Sequence, residues 1–276
     1  MDNVMKYYQS FDEWGRLDRE PVEFIVNMAH IQRYLPSRGR IADIGAGPGK
    51  YALALARAGH EVTLIDLVPR LVEQARSKAA ELQLERQFAG FHVADARDLH
   101  EWPDDHFDAC LLLGPLYHLQ NEEDRIRAVS EVNRITKKEG FIFAAFMTRI
   151  RHFTTSLLYP EAWKPNHTIE GIDSFLASGI FNHTDEGRFT GAYFFDIERI
   201  SPFMQSSGFE CVKLIGSGSI AGGMTVDQWD YWRKQGPDVY RKVIERMIEA
   251  AENPYILGAS SHVMYIGRKK EATLKA

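Results

Sequence analysis

Short apolar runs alternate with amphipathic stretches between residues 36 and 148 of this 276-residue chain. Each apolar run is bounded by turn residues and is short enough for a strand, so the runs predict strands rather than helices. The run Phe107–Leu113 is nearly all apolar, as expected for a strand that is covered on both faces. The pattern predicts five strands in this region: Arg40–Ile44, Glu61–Ile65, Phe91–Ala94, Phe107–Leu113 and Phe141–Phe146.

The stretches between these strands have the end signals of helices. Gly59 follows the first stretch, Pro69 begins the second, and Asn121 opens the third as a capping residue ahead of three acidic residues. The predicted helices are Tyr51–Ala58, Pro69–Leu82 and Asn121–Lys137. Because strands and helices alternate, the pattern predicts a doubly wound α/β fold with helices on both faces of a parallel sheet.

The alternation stops after Thr148. Residues 149–195 contain scattered Gly, Pro, His and aromatic residues without a clear period, and we interpret this segment as an insert that caps the substrate side. Beyond it the pattern predicts four elements: helix Asp196–Ser207, strand Glu210–Ile215, a helical excursion Thr225–Glu252 and strand His262–Arg268. We therefore divide the chain into an N-terminal helical lid (1–35), the core (36–148), the insert (149–195) and the rest of the core (196–276).

Composition and charge narrow the classes of function. The chain is 45% hydrophobic and 26% charged, which is ordinary for a globular protein. Its net charge of −5 and its pI near 6.1 disfavour nucleic acid as a partner, because phosphate binding depends on clustered Lys and Arg. The two cysteines, Cys110 and Cys211, give no disulfide framework and no zinc module. No signal-peptide layout and no apolar run of about 20 residues is found, which predicts a cytoplasmic protein outside the membrane.

A glycine loop, Asp43-Ile44-Gly45-Ala46-Gly47-Pro48-Gly49, follows the first predicted strand and opens a helix. Glycine is needed where the backbone turns sharply or where a ligand approaches it closely. The G-x-G-x-x-G pattern of nicotinamide dinucleotide sites fits poorly, because the third glycine comes one residue early and Lys50 stands in its place. Pro48 also removes a backbone amide that a pyrophosphate would use. The loop favours a methyl donor over a dinucleotide, and a plain strand-to-helix turn is the alternative.

Two further acids stand at the ends of predicted strands. Asp66 ends the second strand, where a carboxylate can accept hydrogen bonds from both hydroxyls of a ribose, or can cap the next helix. Asp95, followed by Ala96, comes after the third strand, where it can accept from an adenine amino group or can be an ordinary loop residue. The carboxyl ends of the strands are where open parallel sheets bind ligands. Together with Asp43, these acids predict an adenosine site at that edge.

The segments IADIGAGPGKY, VTLIDLVP, VADARDL and FDACLLLGPLYHL together resemble the class I S-adenosylmethionine-dependent methyltransferases over residues 36–147. FDEWGRL and GPLYHL also resemble a bacterial subgroup of small-molecule methyltransferase domains. The resemblance implies a Rossmann-like sheet of seven strands, mostly parallel with an antiparallel last strand, and S-adenosylmethionine as the cofactor. It implies that Asp43 contacts the methionine amino group and that Asp66 holds the ribose. The other implied cofactor residues are Gly45, Ala46, Gly47, Gly49, Leu67, Asp95, Ala96, Leu113 and Gly114.

Candidate catalytic and substrate residues lie outside these segments or at their edge. Tyr117 and His118 follow the fourth strand, where the methyl group should emerge, and His118 is a candidate general base because an unperturbed imidazole has a pKa of about 6.5. The alternative for His118 is packing against the next helix. Tyr8 is a third catalytic candidate, and Trp14, Arg16 and His262 are candidate substrate contacts. No acidic triplet or paired histidine spacing indicates a metal.

The sequence leaves the identity of the methyl acceptor open. A small molecule is the first hypothesis, with the protein acting as a monomer or a homodimer. An RNA methyltransferase and a non-catalytic adenosyl-binding protein are the alternatives. Transfer from a sulfonium is an in-line displacement, so alignment of the two reactants is the main task of the protein, worth about 7–11 kcal/mol. A general base is needed only if the acceptor must lose a proton.

Overall fold

A seven-stranded sheet forms the centre of the protein. The structure, a computed structural model, describes residues 5, 7, 8, 14, 15, 21–185 and 191–270. The strands are β1 (Arg40–Ile44), β2 (Glu61–Asp66), β3 (Phe88–Val93), β4 (Phe107–Leu112), β5 (Thr136–Met147), β6 (Ile180–Phe181), β7 (Ala192–Tyr193), β8 (Phe209–Gly216) and β9 (His262–Lys269). The order in the large sheet is β3-β2-β1-β4-β5-β9-β8, while β6 and β7 pair separately. β9 runs antiparallel to β5 and β8, and all other strand pairs of the large sheet are parallel, so the predicted fold class is confirmed.

The predicted helices occur in the expected order, and three more lie at residues 115–118, 149–158 and 169–178, where none was predicted. They are α1 (Pro21–Tyr34), α2 (Lys50–Arg57), α3 (Pro69–Glu81), α4 (Pro115–His118), α5 (Glu122–Ile135), α6 (Arg149–Leu158), α7 (Ile169–Ser178), α8 (Ile197–Ser206), α9 (Val226–Lys234) and α10 (Pro237–Ala250). Asn121 caps α5, because its side chain accepts a hydrogen bond from the Glu123 amide. The starts of α2, α3, α4 and α6 follow the ends of β1, β2, β4 and β5.

Three elements differ from the sequence-based boundaries. β3 begins at Phe88, three residues before the predicted start, because a bulge lets Phe88 pair with Val62. β5 begins at Thr136 because its polar first residues still pair beside Phe107 of β4. The predicted excursion Thr225–Glu252 is two helices, since Gly236 has a φ of 99° and Pro237 starts a new helix.

The hydrophobic core lies on both faces of the sheet. Alternate residues of each strand point to opposite faces, so Ile41 packs on one side while Ala42 and Ile44 pack on the other. The first face is covered by α1, α2, α3 and α10, and the second by α5 and α8. This arrangement leaves the carboxyl edge of β1, β2 and β4 as the open edge of the sheet.

Residues 149–195 leave the sheet and return to it at adjacent points. Thr148 forms a bridge with Phe195, and the Arg149 amide donates to the Phe195 carbonyl over 2.9 Å. Within the segment, α6, α7 and the β6–β7 pair enclose a small aromatic core of their own. Tyr117, at the carboxyl edge of the large sheet, belongs to that same core. The insert therefore packs directly against the open edge.

No helix within the described part of the chain is long and apolar enough to cross a membrane. The longest of them, α1, α5 and α10, have 14 residues each.

Candidate functional site

The glycine loop is a sharp turn between β1 and α2. Gly45, Gly47 and Gly49 have φ angles of 68°, 57° and 82°, a region that side chains with a Cβ rarely adopt. The amides of Gly45 and Ala46 both donate to the Ile65 carbonyl of β2, over 2.8 and 3.1 Å. A Cβ on Gly45 would lie 2.5 Å from two ring carbons of Pro115. The loop is thus held between β2 and the start of α4.

Asp43 supplies a buried carboxylate beneath this loop. Its side chain is 2% exposed, and its Oδ2 atom has no hydrogen-bond partner among the described residues. Burial raises the pKa of Asp43 to about 7; the Ala52 amide opposes this effect and the charge of Asp66 adds to it. An unpartnered buried oxygen is unfavourable, so this carboxylate has capacity for a hydrogen-bond donor or a cation.

Asp66, at the end of β2, is held by two backbone amides. Its Oδ2 accepts from the Gly47 amide over 2.7 Å, and its Oδ1 accepts from the Val68 amide over 2.8 Å. These bonds fix the carboxylate at the rim of the glycine loop. An ionised carboxyl group can accept about four hydrogen bonds, which is the chemistry that Asp66 presents at this rim.

Asp95 lies after β3 and is paired with Arg97. The Arg97 side chain donates to both carboxylate oxygens of Asp95, and the Arg97 amide donates to Oδ1 over 2.9 Å. Burial acts to raise the pKa of Asp95, but the hydrogen bonds from Arg97 hold it below its ordinary value. Asp95 therefore stays ionised, and a ligand amino group would share it with Arg97.

These residues surround one cleft of about 1060 Å³, including its open mouth. The cleft lies at the carboxyl edge of the sheet, where ligands bind in open parallel sheets. Of the site residues predicted from the sequence, it brings together Tyr8, Asp43, Gly45, Ala46, Gly47, Asp66, Leu67, Asp95, Ala96, Leu113, Gly114, Tyr117 and His118. Gly49, Trp14 and His262 are not among the residues that line it.

Three of the predicted residues that the structure describes are not among those that line the cleft. A Cβ on Gly49 would lie 2.9 Å from Leu64 Cδ1, so this glycine allows close packing on β2 instead. Trp14 lies against the ammonium groups of Lys50 and Lys78, with each nitrogen 5.7 Å from its ring centre. His262 stands behind the cleft wall, and Arg16 lies outside the described residues.

His118 is enclosed by protein although part of its surface opens on the cleft. Its Nε2 lies 3.1 Å from the Tyr8 hydroxyl, and the Tyr8 and His118 rings meet edge to face. Burial lowers the pKa of His118 to about 4, and repulsion from His262 acts in the same direction. The near-neutral pKa expected from the sequence is therefore not retained, and His118 is uncharged at neutral pH.

The cleft also contains residues that the sequence analysis did not single out. The largest polar ones are Glu23, Lys50 and Tyr51, and the smaller ones are apolar: Val68, Leu71, Ala94, Pro115 and Leu119. Lys50 and Val68 adjoin the predicted segments, so their position could have been inferred. Glu23 lies in α1, far from any motif, and no local pattern indicates it.

Within the described part of the chain, His, Cys, Asp and Glu side chains form no group of three that could hold a metal ion.

Comparison with known sequences identifies residues 42–144 with a family described as a methyltransferase domain. The ubiquinone biosynthesis O-methyltransferase of Xanthomonas oryzae pv. oryzae is 32% identical over 125 residues, which are 45% of this chain and 50% of that enzyme. The Xanthomonas axonopodis pv. citri enzyme of the same name is 31% identical over 117 residues, 42% of this chain and 46% of that enzyme. The chain thus spans about half the length of the curated relatives it matches.

Comparison with solved structures extends over most of the chain. A SAM-dependent methyltransferase of Methanosarcina mazei superposes with a TM-score of 0.59 at 19% identity, covering 87% of this chain and 97% of that one. The 1,6-didemethyltoxoflavin-N1-methyltransferase of Burkholderia thailandensis, solved with bound 1,6-didemethyltoxoflavin and S-adenosylhomocysteine, superposes with a TM-score of 0.56 at 14% identity, covering 98% of this chain and 86% of that one. At these identities the likeness concerns the fold.

Proposed function

We propose that this chain, whose residues 42–144 match a family described as a methyltransferase domain, transfers a methyl group from S-adenosylmethionine to a small-molecule acceptor. The matched segment, residues 42–144, contains the glycine loop and the ends of β1, β2 and β4. Residues 149–195, where we expect the acceptor to be selected, lie outside it. The names of the relatives, which refer to a quinone pathway and a toxoflavin precursor, support a small acceptor.

The observation that carries the proposal is the set of three acids around one cleft. Asp43, Asp66 and Asp95 come from the ends of three neighbouring strands. The unpartnered oxygen of Asp43 suits the positively charged amino group of the cofactor, and the fixed carboxylate of Asp66 suits its ribose hydroxyls. Asp95 and the Ala96 backbone would hold the adenine, with Leu113 and Gly114 beside the methionine end. The residues present therefore fit S-adenosylmethionine.

When bound, the cofactor supplies a methyl group on a positively charged sulfur. The protein holds the two reactants in line and excludes water, and this positioning can lower the activation barrier by about 7–11 kcal/mol. Tyr117 and His118, directly after β4, would form the wall beside the transferred group. As an uncharged imidazole, His118 can accept or donate a hydrogen bond there without carrying charge.

We further propose that the N-terminal region closes the cleft as a lid. Tyr8 reaches both walls: its hydroxyl lies 3.1 Å from His118 Nε2, and its carbonyl accepts from Arg70 over 2.6 Å. Arg70 is in the first turn of α3, on the wall that carries Asp66. On the acceptor side, the insert packs on Tyr117. A cofactor under Tyr8 and an acceptor beside the insert would both be shielded from water.

Location in the cytoplasm and a monomeric or homodimeric state stay predictions from the sequence. Sedimentation of the purified chain would distinguish a monomer from a homodimer.

Calorimetry tests the cofactor part of the proposal. S-adenosylmethionine and S-adenosylhomocysteine should bind to the full chain, whereas a nicotinamide dinucleotide should not. Absence of binding by both sulfur ligands at millimolar concentration would overturn the proposal. A labelled-methyl screen over metabolite pools, with purified RNA as a parallel acceptor, then tests the acceptor class: incorporation into RNA alone would contradict a small-molecule acceptor.

Replacing Asp66 is expected to weaken S-adenosylhomocysteine binding by more than tenfold, because charged hydrogen bonds contribute about 1.5–3 kcal/mol each. Asp66→Ala also leaves the Gly47 and Val68 amides without their acceptors, so Asp66→Asn, which keeps one acceptor oxygen, is the better variant. Asp98→Asn, on an exposed side chain after Asp95, is the matched control. Equal affinities of the Asp66→Asn and Asp98→Asn variants would remove Asp66 from the site.

Replacing Tyr8 with phenylalanine removes the hydroxyl contact with His118 and keeps the ring. We expect cofactor dissociation to become about three- to tenfold faster, since one hydrogen bond contributes about 0.5–1.5 kcal/mol. Stopped-flow displacement of bound S-adenosylhomocysteine measures this rate. Tyr159→Phe, on a side chain that is 62% exposed, should leave it unchanged. An unchanged rate in Tyr8→Phe would contradict the lid.

A further inference from the structure

One face of helix α5 holds the arginine that fixes Asp95. Nη1 of Arg97 lies 2.9 Å from Oδ2 of Asp124 in the first turn of α5, and the Arg97 carbonyl accepts from Nε of Arg127 over 2.9 Å. Asp124 and Arg127 are three residues apart, which makes them neighbours on one face of the helix. Arg97 in turn donates from its Nη2 to Oδ2 of Asp95 over 2.7 Å. The pair of Arg97 and Asp95 is therefore held by α5.

The next residue of α5, Arg125, contacts a different wall of the cleft. Its side chain is 4% exposed. Its Nη1 donates to the carbonyls of Leu119 and Gln120, over 2.7 and 2.8 Å. Leu119 lines the cleft and directly follows His118 in the sequence. Arg125 thus ties the connection between α4 and α5 to the start of α5.

Arg125 also joins α5 to the insert. Its guanidinium carbon is 3.6 Å from the ring centre of Tyr193 in β7, a distance at which the face of an aromatic ring attracts a cation. A second link comes from Gln120, whose side chain donates to Oδ1 of Asn182, directly after β6, over 2.6 Å. The insert is therefore held both to α5 and to the residue that follows Leu119.

We propose that Arg125 is a positioning residue that couples the insert to the cofactor site, because contact with the insert steadies α5 and, through α5, the pair of Arg97 and Asp95. The inference rests on the proposed function, in which Asp95 holds the adenine amino group. It assigns a regulation to the same site. An acceptor that binds against the insert and steadies it tightens cofactor binding, and the cofactor tightens acceptor binding by the same factor.

A helix is suited to this coupling because its backbone hydrogen bonds make neighbouring turns move together. Asp124 and Arg125 are consecutive residues near the start of α5, so a displacement of one carries the other with it. If the ring of Tyr193 is removed, the buried guanidinium loses a contact that offsets its desolvation. The start of α5 is then held less firmly, and Arg97 presents Asp95 to the ligand in a wider range of positions.

The test uses the full chain, calorimetry and two ligands: S-adenosylhomocysteine and its analogue without the adenine amino group. We expect Tyr193→Leu and Arg125→Met to weaken S-adenosylhomocysteine binding by about fivefold or more, and to weaken the analogue by less than about twofold. A merely structural role would weaken both ligands alike. Tyr231→Leu, on a side chain that is 58% exposed, is the control and should change neither affinity. Tyr193→Leu leaves Arg125 in place, so the test does not depend on the folding of Arg125→Met.

A double variant tests whether the effect passes through α5. Asp124→Asn removes the charge that faces Arg97, on a side chain that is 36% exposed, and should itself weaken S-adenosylhomocysteine binding. With that link already broken, addition of Tyr193→Leu should weaken binding by less than about twofold further. Losses caused by two independent sites would instead multiply.

Three outcomes would overturn the inference. They are unchanged S-adenosylhomocysteine affinity in Tyr193→Leu, equal losses of affinity for S-adenosylhomocysteine and its analogue, and losses that multiply in the double variant. Failure of the unmodified chain to bind S-adenosylhomocysteine would instead contradict the proposed function itself.

Discussion

Gly45→Ala is expected to abolish detectable cofactor binding and to lower the free energy of unfolding by about 2–5 kcal/mol. Two effects add at this position. A residue with a Cβ at a φ of 68° costs about 1–2 kcal/mol, and the new atom would lie 2.5 Å from the Pro115 ring, an overpacking that costs about 1–3 kcal/mol. Relief of that clash must displace either the loop or the start of α4, and both line the cleft.

Gly59→Ala separates the two effects. Gly59 has a φ of 96°, but a Cβ there meets no atom within 4 Å, so only the backbone strain should appear. Urea unfolding of both variants gives the stability difference, and calorimetry with S-adenosylhomocysteine gives the affinity. Equal losses of stability in the two variants would show that Pro115 yields freely, contrary to our expectation.

Asp43→Asn is expected to weaken S-adenosylhomocysteine binding by more than tenfold at pH 7.5 and to remove its pH dependence. In the free protein the pKa of Asp43 is about 7, so below pH 7 the ligand's ammonium group meets a protonated carboxyl group. Binding must then release a proton, and affinity should fall by up to about tenfold per pH unit below pH 7. Calorimetry between pH 5.5 and 7.5 measures both effects. A similar pH dependence in the asparagine variant would assign it to another group.

The same substitution is expected to stabilise the ligand-free protein. A carboxyl group whose folded-state pKa is raised keeps its proton while the unfolded chain loses it, so stability falls as pH rises from about 4 to 7. Above pH 7 the loss of folding stability caused by ionised Asp43 is constant. It is at most about 4 kcal/mol for a pKa raised from 3.8 to about 7. Asparagine carries no such cost. Its stability gain, measured by thermal unfolding, should therefore be absent near pH 4 and largest at pH 8; a gain independent of pH would contradict this cause.

The order of strands and helices could be predicted because burial in the core requires a recognisable pattern of apolar residues within each element. A strand covered on both faces, such as β4, leaves a continuous apolar run in the sequence, and a helix that follows it shows its cap, as Asn121 does for α5. The predicted and observed strand boundaries differ where pairing with a neighbouring strand determines the first residue of the strand. The polar start of β5 and the early start of β3 depend on neighbouring strands that no local pattern reveals.

The site divides in the same way. The proposed cofactor side is carried by short motifs, each placed by one strand end, so the sequence alone predicted that Asp43, Asp66 and Asp95 lie together. The remaining wall of the cleft is built from residues that are distant in the chain. Glu23 comes to the cleft from α1 and contacts His262 of β9, and the pKa of His118 depends on its burial. Tertiary packing of this kind leaves no periodic signal.

The junction at Thr148 and Phe195 has a consequence for how such proteins can diversify. The two ends of the insert, residues 149–195, lie side by side, so its length can change without altering the geometry of the sheet. Doubling the length of such a segment costs only about 0.6 kcal/mol in closure entropy. Segments of different size and sequence can be exchanged there while the glycine loop and its acids keep their positions. A single scaffold can in this way acquire new acceptors by grafting, with its methyl-donor chemistry inherited unchanged.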